Sequence, residues 1–327
     1  MERVWDAPPK HRPPAATVRT KARARAEAKA RAAPRARTSR YRRRERRIYW
    51  LFTLPGVLLI GMFKLYPVIR GIGYSFTTWP GFGPSQFVGL KNYRLLLTDP
   101  SFETVLLNNL KLVIAIPFFV VVPLLVAVIL FERPWGYRFL RAAYFFPAIL
   151  SPVIVGVLFE ELLTSSGPVD DFIRQFDPGF SVTWLGSPGL ALWTVLAVVL
   201  WASFGIGVLV FLAALSTVPL EMFDAAKIDG AGWWATFRYI TAPALRKVIS
   251  FWTVILTITL FTSMFGYIFT LTNGGPGLDS TVLEYDVYLE AFTNGDYGYA
   301  SAVAVVLMII TGIVVAVQLR LTLGRKQ

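Results

Sequence analysis

Cysteine is absent from this 327-residue chain and histidine occurs once, at His11. The first absence excludes disulfides and thiolate chemistry. The second leaves no imidazole cluster to hold a metal. Charge is scarce as well. Asp, Glu, Lys and Arg make up 16% of the residues, whereas 55% are hydrophobic; a soluble domain carries roughly 25% charged residues. That balance describes an integral membrane protein. No GxxxxGK[ST] occurs to cradle a nucleotide phosphate, and HExxH, GxSxG and paired Cys/His sets are missing too. The apolar runs hold no series of carboxylates of the kind a proton-coupled pump requires. Asp170 and Asp171, adjacent in what reads as an exposed loop, are poor candidates for acid/base work. The chain is therefore expected to perform no covalent chemistry and to bind no cofactor or metal of its own.

The net charge of +13 is concentrated at one end. Residues 1–48 hold 17 Lys and Arg against Glu2, Asp6, Glu27 and Glu45, and the rest of the chain holds 16 of each sign. "KARARAEAKARAAPRARTSRYRRRERR" has too few apolar residues to fold by itself. Residues 1–47 are therefore expected to form a disordered basic cytoplasmic tail, and 48–327 a transmembrane domain. A basic segment beside a membrane span stays on the cytoplasmic side and lies against anionic lipid. That role is preferred here to nucleic-acid binding. No small-residue cleavage site follows a short apolar core, so the tail does not read as a signal peptide.

Crossing a bilayer takes about 20 mostly apolar residues per helix. Six stretches qualify, at about 49–76, 109–131, 142–163, 190–215, 248–271 and 299–319. Each is expected to be helical, because the hydrocarbon offers no partner for a free backbone amide. Lys64 interrupts the first. It is either a functional intramembrane charge or a snorkelling side chain near a bend at Pro67. "GIG" at 71–73 and again at 205–207 reads as close helix packing.

Orientation follows from the connections. Arg133, Arg138 and Arg141, then Lys227, Arg238, Arg246 and Lys247, then Arg320, Arg325 and Lys326, alternate with segments poor in basic residues. Residues 272–298 carry Asp279, Glu284, Asp286, Glu290 and Asp296 with no Lys or Arg, and 164–189 carry only Arg174. The positive-inside rule then places both termini in the cytoplasm. The acid-only segment either contacts a partner outside or merely reflects the exclusion of positive charge.

One connection is more than a connector. In "STVPLEMFDAAKIDGAGWWATFRYITAPALRK" (216–247), Pro219 and Glu221 suit a helix first turn, and Gly230 suits a left-handed stop. "WWATFRYI" predicts a second short helix that Pro243 ends or bends. Leu220, Phe223, Ala226 and Lys227 share one side with Ala225 adjacent, so the small pair lets a partner backbone come close. Asp224, Ala225, Ala226, three residues, Gly230, then Ile240 and Pro243 resemble the "EAA" motif of binding-protein-dependent ABC importer permeases. The flanking residues, with "FVGLKNYRLLLTDPSF" (87–102) and "LTNGGPGLDSTVLEYDVYLEAFTNGDYGYASAVAVVL" (271–307), are similar to the carbohydrate-uptake, maltose-permease-like branch. The resemblance runs from about residue 50 to the C-terminus. Asp224 stands where the motif has Glu, and Ala242 where it has Leu, so Glu221 is a second candidate for the polar contact.

The resemblance implies an all-α membrane protein with six transmembrane helices, a type I ABC importer permease, in a bacterial inner or plasma membrane. It implies four kinds of partner: a second, non-identical permease, a dimer of ATP-binding subunits carrying ATP and magnesium, an extracytoplasmic solute-binding protein, and membrane lipid. The 216–247 loop would seat on the ATP-binding subunit through Glu221, Asp224, Ala225, Ala226, Gly230, Ile240 and Pro243. From composition alone, Thr253, Thr257, Phe261 and Met264 on the fifth span offer the hydroxyls and flat apolar faces that a sugar path needs. Ordinary interhelical packing accounts for them equally. The contrasting reading is a secondary transporter or channel working without an ATPase.

Overall fold

A computed structural model describes residues 49–132 and 135–323. The expected disordered tail, 1–47, and His11, Arg133, Arg325 and Lys326 lie outside the described residues. The chain divides into two units, Met1–Val68 and Ile69–Gln327. Helix α1, Tyr49–Tyr74, supplies all of the first unit that is described and begins the second. A two-stranded antiparallel hairpin follows, β1 Thr77–Thr78 and β2 Gln86–Phe87. Then come α2 (Lys91–Thr98), α3 (Pro100–Phe131), α4 (Tyr137–Phe145, continued as a 3-10 turn to Ile149), α5 (Pro152–Leu162), α6 (Pro168–Arg174) and α7 (Ala191–Leu215). The remaining helices are α8 (Leu220–Ile228), α9 (Trp233–Thr262), α10 (Phe265–Leu271), α11 (Leu283–Tyr288) and α12 (Tyr297–Leu323).

Among the described residues, five helices, α1, α3, α7, α9 and α12, are long and apolar enough to cross a membrane, and a sixth crossing requires the bent pair α4 and α5. The expected third span is thus not one straight helix: its halves meet at 103°. The cause is local. Pro152 disfavours helical geometry at the residue before it, and Ser151 is extended at φ −69°, ψ 151° while its hydroxyl accepts the Ile154 N–H. The second span starts earlier than expected, because Asp99 caps α3 through the Ser101 N–H with Pro100 at the first helical position.

The expected fifth span is broken as well. Helix α9 stops at Thr262, and α10 starts at Phe265. No proline or glycine causes this break. One Glu284 carboxylate oxygen accepts the Met264 N–H at 2.6 Å and the Phe265 N–H at 3.0 Å, which satisfies the amides that the interrupted ladder releases.

Two prolines sit inside long helices by the same device. A π-turn at Gly61–Leu65 precedes Pro67, and one at Phe237–Thr241 precedes Pro243. Tyr66 donates back to Gly61 and Ala242 back to Phe237, five residues each. The shifted ladder absorbs the N–H that proline lacks. Pro243 therefore does not end a separate "WWATFRYI" helix; residues 233–262 run on as one.

The core lies where α3, α7 and α9 pack and α12 closes on α9; Phe211, Phe261, Leu112, Leu192 and Leu260 are fully buried there. The close packing expected of "GIG" holds at 205–207. A Cβ on Gly205 would lie 2.0 Å from the Tyr144 carbonyl oxygen, and one on Gly207 would lie 2.9 Å from Pro123. At Gly71 and Gly73 an added Cβ meets nothing within 4 Å, so close packing does not explain that pair. Helices α5 and α10 meet through reciprocal glycines, Gly156 against Thr270 and Gly266 against Pro152.

Asp170 corrects a second expectation. It is fully buried, accepting the Trp184 indole N–H at 2.6 Å and pairing with Arg174 at 3.4 Å. Arg174, the one base in that segment, also donates to the Phe180 carbonyl. Loop 164–190 is consequently a folded cap rather than a solvated strap. Asp171 beside it stays exposed.

Candidate functional site

Residues 216–247 leave the bundle where α7 ends, and the end of α3 lies beside them. Helix α8 has Glu221 in its first turn and Lys227 in its last, each favourable to the helix dipole. Its stop is a Schellman motif: Ala231 N–H donates to the Ala226 carbonyl at 2.9 Å, and Gly230 N–H to the Lys227 carbonyl at 3.1 Å. Gly230 takes φ +72°, a left-handed conformation open to glycine at little steric expense. The chain turns through Ala231 and Gly232 and enters α9.

Phe223 and Ala226 turn inward, Phe223 against Phe131 at 5.7 Å between ring centroids. Ala225, Glu221 and Asp224 face out. Asp224 and Lys227 lie 4.0 Å apart with side chains 70% and 78% exposed, an ion pair of little energetic weight. Ile240 is half-buried in the π-turn, and Pro243 is exposed one turn further on.

Sequence reasoning placed Leu220 on the contact helix but missed the apolar residues that accompany it. Leu220, Met222, Trp233, Trp234 and Tyr239 are exposed here, and Ile228 is 86% exposed. Trp233, Trp234 and Phe237 stack, with Trp233 and Phe237 nearly parallel at 5.6 Å. A contiguous apolar surface with two tryptophans is typical of a protein-binding face. Beneath it lies a cavity of about 590 Å³ whose walls include Phe131, Phe223, Trp233 and Phe237 and whose charged groups are Glu132, Asp224 and Lys227. The doubled tryptophan in "GAGWWATF" was the signal that could have found this patch.

The fifth-span residues occupy a different setting. Thr257, Phe261 and Met264 are buried within the chain. The Thr257 hydroxyl accepts from the Gln318 amide of α12 at 2.8 Å and donates to the Thr253 carbonyl at 2.8 Å. Thr253, half-buried, donates to the Ile249 carbonyl. Through Gln318, Thr257 ties α9 to α12. The four do not meet the 216–247 stretch.

At the opposite end of the bundle, loop 272–282 is anchored to α3. Asn108 donates to the carbonyls of Leu278 and Thr281, and Asn109 accepts the Leu283 N–H. Glu284, Asp286 and Glu290 follow on α11 and its π-turn. Burial raises the Glu284 carboxyl above the usual carboxylate range, against the pull of its two backbone hydrogen bonds. Burial, with Glu290 and Asp99 as like charges nearby, pushes Asp286 up to about 7.

Long apolar helices, a compact helix–glycine–helix projection and a folded cap at the far end define a multi-pass membrane permease. Residues 98–326 match the family described as the binding-protein-dependent transport system inner membrane component, and the chain belongs to that family. It is 34% identical to the multiple sugar-binding transport system permease protein MsmF of Streptococcus mutans over 275 residues, 84% of this chain and 94% of that protein. It is 30% identical to the probable starch degradation products transport system permease protein AmyD of Thermoanaerobacterium thermosulfurigenes over 284 residues, 85% of this chain and 94% of that one. Its fold is similar to a chain in the crystal structure of a bacterial ABC transporter involved in the import of the acidic polysaccharide alginate. There the TM-score is 0.75 at 20% identity, covering 89% of this chain and 100% of that chain. The chain is thus a permease subunit of a binding-protein-dependent importer.

Proposed function

We propose that the cargo is a sugar or short oligosaccharide, and that the 216–247 projection is where an ATP-binding partner pushes. The observation that carries the coupling assignment is the apolar patch around a Schellman-capped α8, set on a helix that continues unbroken from Trp233 into the core. A force applied at α8 passes through the turn at Gly230–Gly232 into α9, which runs without a break to Trp252 and Leu256. Closure of two ATP-binding subunits would then rock α9, one bistable element serving two sites. ATP and magnesium belong to that partner. Glu221, Asp224, Ala225, Gly230, Ile240 and Pro243 form the contact, with Asp224 or Glu221 supplying its charge and Ala226, turned inward, packing α8 onto the bundle behind them.

The sugar assignment rests on the named cargoes of MsmF and AmyD. Basic residues at the α8 end support placing that end, and both termini, in the cytoplasm. A second permease would complete the pathway. A related transporter was crystallised with an alginate pentasaccharide-bound periplasmic protein, which supports delivery from outside by a soluble binding protein. Thr257, Phe261 and Met264 are buried, with Thr253 half-buried beside them, so a sugar path past them opens only when α9 and α12 part.

The test is reconstitution of this chain with the permease, ATP-binding subunit and solute-binding protein encoded beside it. ATPase activity stimulated by the sugar-loaded binding protein, with sugar appearing inside the vesicles, is the expected result. Uptake by this chain alone, independent of ATP, would establish a secondary transporter instead.

A further inference from the structure

A row of aromatic rings runs across the end of the bundle opposite α8. Tyr74 stacks on Trp79 with centroids 4.2 Å apart and planes within 15°. Trp79 meets Tyr297 at 5.6 Å, Tyr297 meets Phe292 at 5.7 Å, Phe292 meets Tyr288 at 5.4 Å, and Tyr288 meets Phe265 at 4.9 Å. The six rings come from five separate pieces of chain: the end of α1, the hairpin, the start of α12, the segment from α11 through its π-turn, and α10.

The row lies at the margin of the core. Tyr285, close by, is fully buried, whereas Phe292 is 69% exposed and the other five are partly buried, Phe265 and Tyr288 packing against the core. The row is also held in place. A Cβ on Gly81 would fall 2.3 Å from the Tyr297 ring, and one on Gly298 would fall 2.1 Å from the Thr77 carbonyl oxygen. The Gly298 N–H donates to the Trp79 carbonyl, and the Trp79 indole N–H to that of Gly83. Hairpin and helix start are thereby locked together, and Trp79 and Tyr297 with them.

Polar groups accompany the row. Glu290 shares a π-turn with Phe292 and accepts from the Asn294 amide at 3.0 Å. It also lines an open cleft of about 420 Å³ with Asp99, Thr98 and Tyr299. The row ends at Phe265, next to the break in α9, where Thr262 and Ser263 are exposed. A pyranose ring has one face of C–H groups and an equator of hydroxyls. A flat aromatic face of negative quadrupole suits the former, and carboxylates suit the latter.

We propose that this row is a carbohydrate-conducting surface, on which successive sugar rings stack as they pass from the outer end of the permease to the break in α9. The proposal rests on the sugar-importer reading above. An aromatic belt at the lipid headgroups is the competing explanation for exposed rings in a membrane protein. These rings touch in sequence, and Glu290 shares the π-turn of Phe292.

The test uses the reconstituted complex and a panel of radiolabelled neutral di- to tetrasaccharides built on glucose, xylose, arabinose and galactose. Phe292→Leu and Trp79→Leu stay apolar but remove the flat face, the second also removing the indole N–H bond to Gly83. Each is expected to slow uptake about fivefold, the rate equivalent of one lost aromatic stacking contact. Phe292→Trp should restore uptake, and Phe172→Leu, on an exposed aromatic outside the row, should leave it unchanged. Wild-type uptake of a panel sugar with no loss in the Leu variants overturns the conducting row while the sugar reading stands. Leu variants that lower thermal stability in lipid, and slow uptake only in proportion to folded protein, identify a headgroup belt. No uptake of any panel sugar by the wild-type complex removes the sugar reading, and the row with it.

Discussion

Gly230→Trp separates docking from folding at the α8 corner. The residue sits at φ +72°, so any L side chain there carries about 1–2 kcal/mol of left-handed strain, with Asn carrying less. A Cβ at this position meets nothing within 4 Å. The strain is therefore the whole intramolecular penalty, and the two Schellman hydrogen bonds survive. Asn, Ala and Trp should all insert and fold, which fluorescence-detected size exclusion in detergent checks. In proteoliposomes Gly230→Asn should transport like wild type, and Gly230→Ala should fall by no more than about thirtyfold, the equivalent of ~2 kcal/mol. Gly230→Trp carries the Ala strain and also thrusts an indole into the space a partner would fill. Its uptake should fall well beyond that of Ala, with ATP hydrolysis no longer tied to transport. Normal coupled uptake by the Trp variant would refute the reasoning. Equal losses in the Ala and Trp variants would show that backbone strain, not a docked partner, is what matters there.

Glu284→Ala removes the acceptor for two released amides and should lower stability by about 1–2 kcal/mol, read as a drop in Tm. Glu284→Gln, which keeps an acceptor oxygen, should lose less than half as much. Gly205→Ala places a Cβ 2.0 Å from the Tyr144 carbonyl oxygen and should abolish folded expression, whereas Gly71→Ala should express normally. Asp286, with its native pKa raised from 3.8 to about 7, holds its proton more tightly folded than unfolded. Its contribution should therefore diminish stability as pH rises from about 4 to about 7 and level off above. Asp286→Asn should flatten that part of a Tm-against-pH curve, and an unchanged slope would count against the shift.

Local physics was legible and distant partnership was not. The α8 stop could be read from "KIDGAG" because a Schellman motif needs only a helix, a glycine and the next amide. The bend between α4 and α5 has a local cause in Pro152 and the extended Ser151, yet the apolar run across it read as one continuous span. The break at Ser263 had no local signature, because its cause is a carboxylate 20 residues later. Asp170 read as exposed because nothing in "GPVDDFIR" reveals the Trp184 indole that meets it.

By itself the sequence determined the membrane class, the approximate number and places of the apolar spans, and the polar helix–glycine corner at 216–247. Each follows from constraints that act within one segment: hydrocarbon demands internally bonded backbone, and left-handed φ favours glycine. Only the tertiary structure decided that α9 is one rod from Trp233 to Thr262, that two tryptophans stand exposed beside α8, and that six rings from separate segments line up at the far end. Those depend on which surfaces meet after folding, through contacts such as Asn108 to Thr281, 173 residues apart, that no local pattern encodes.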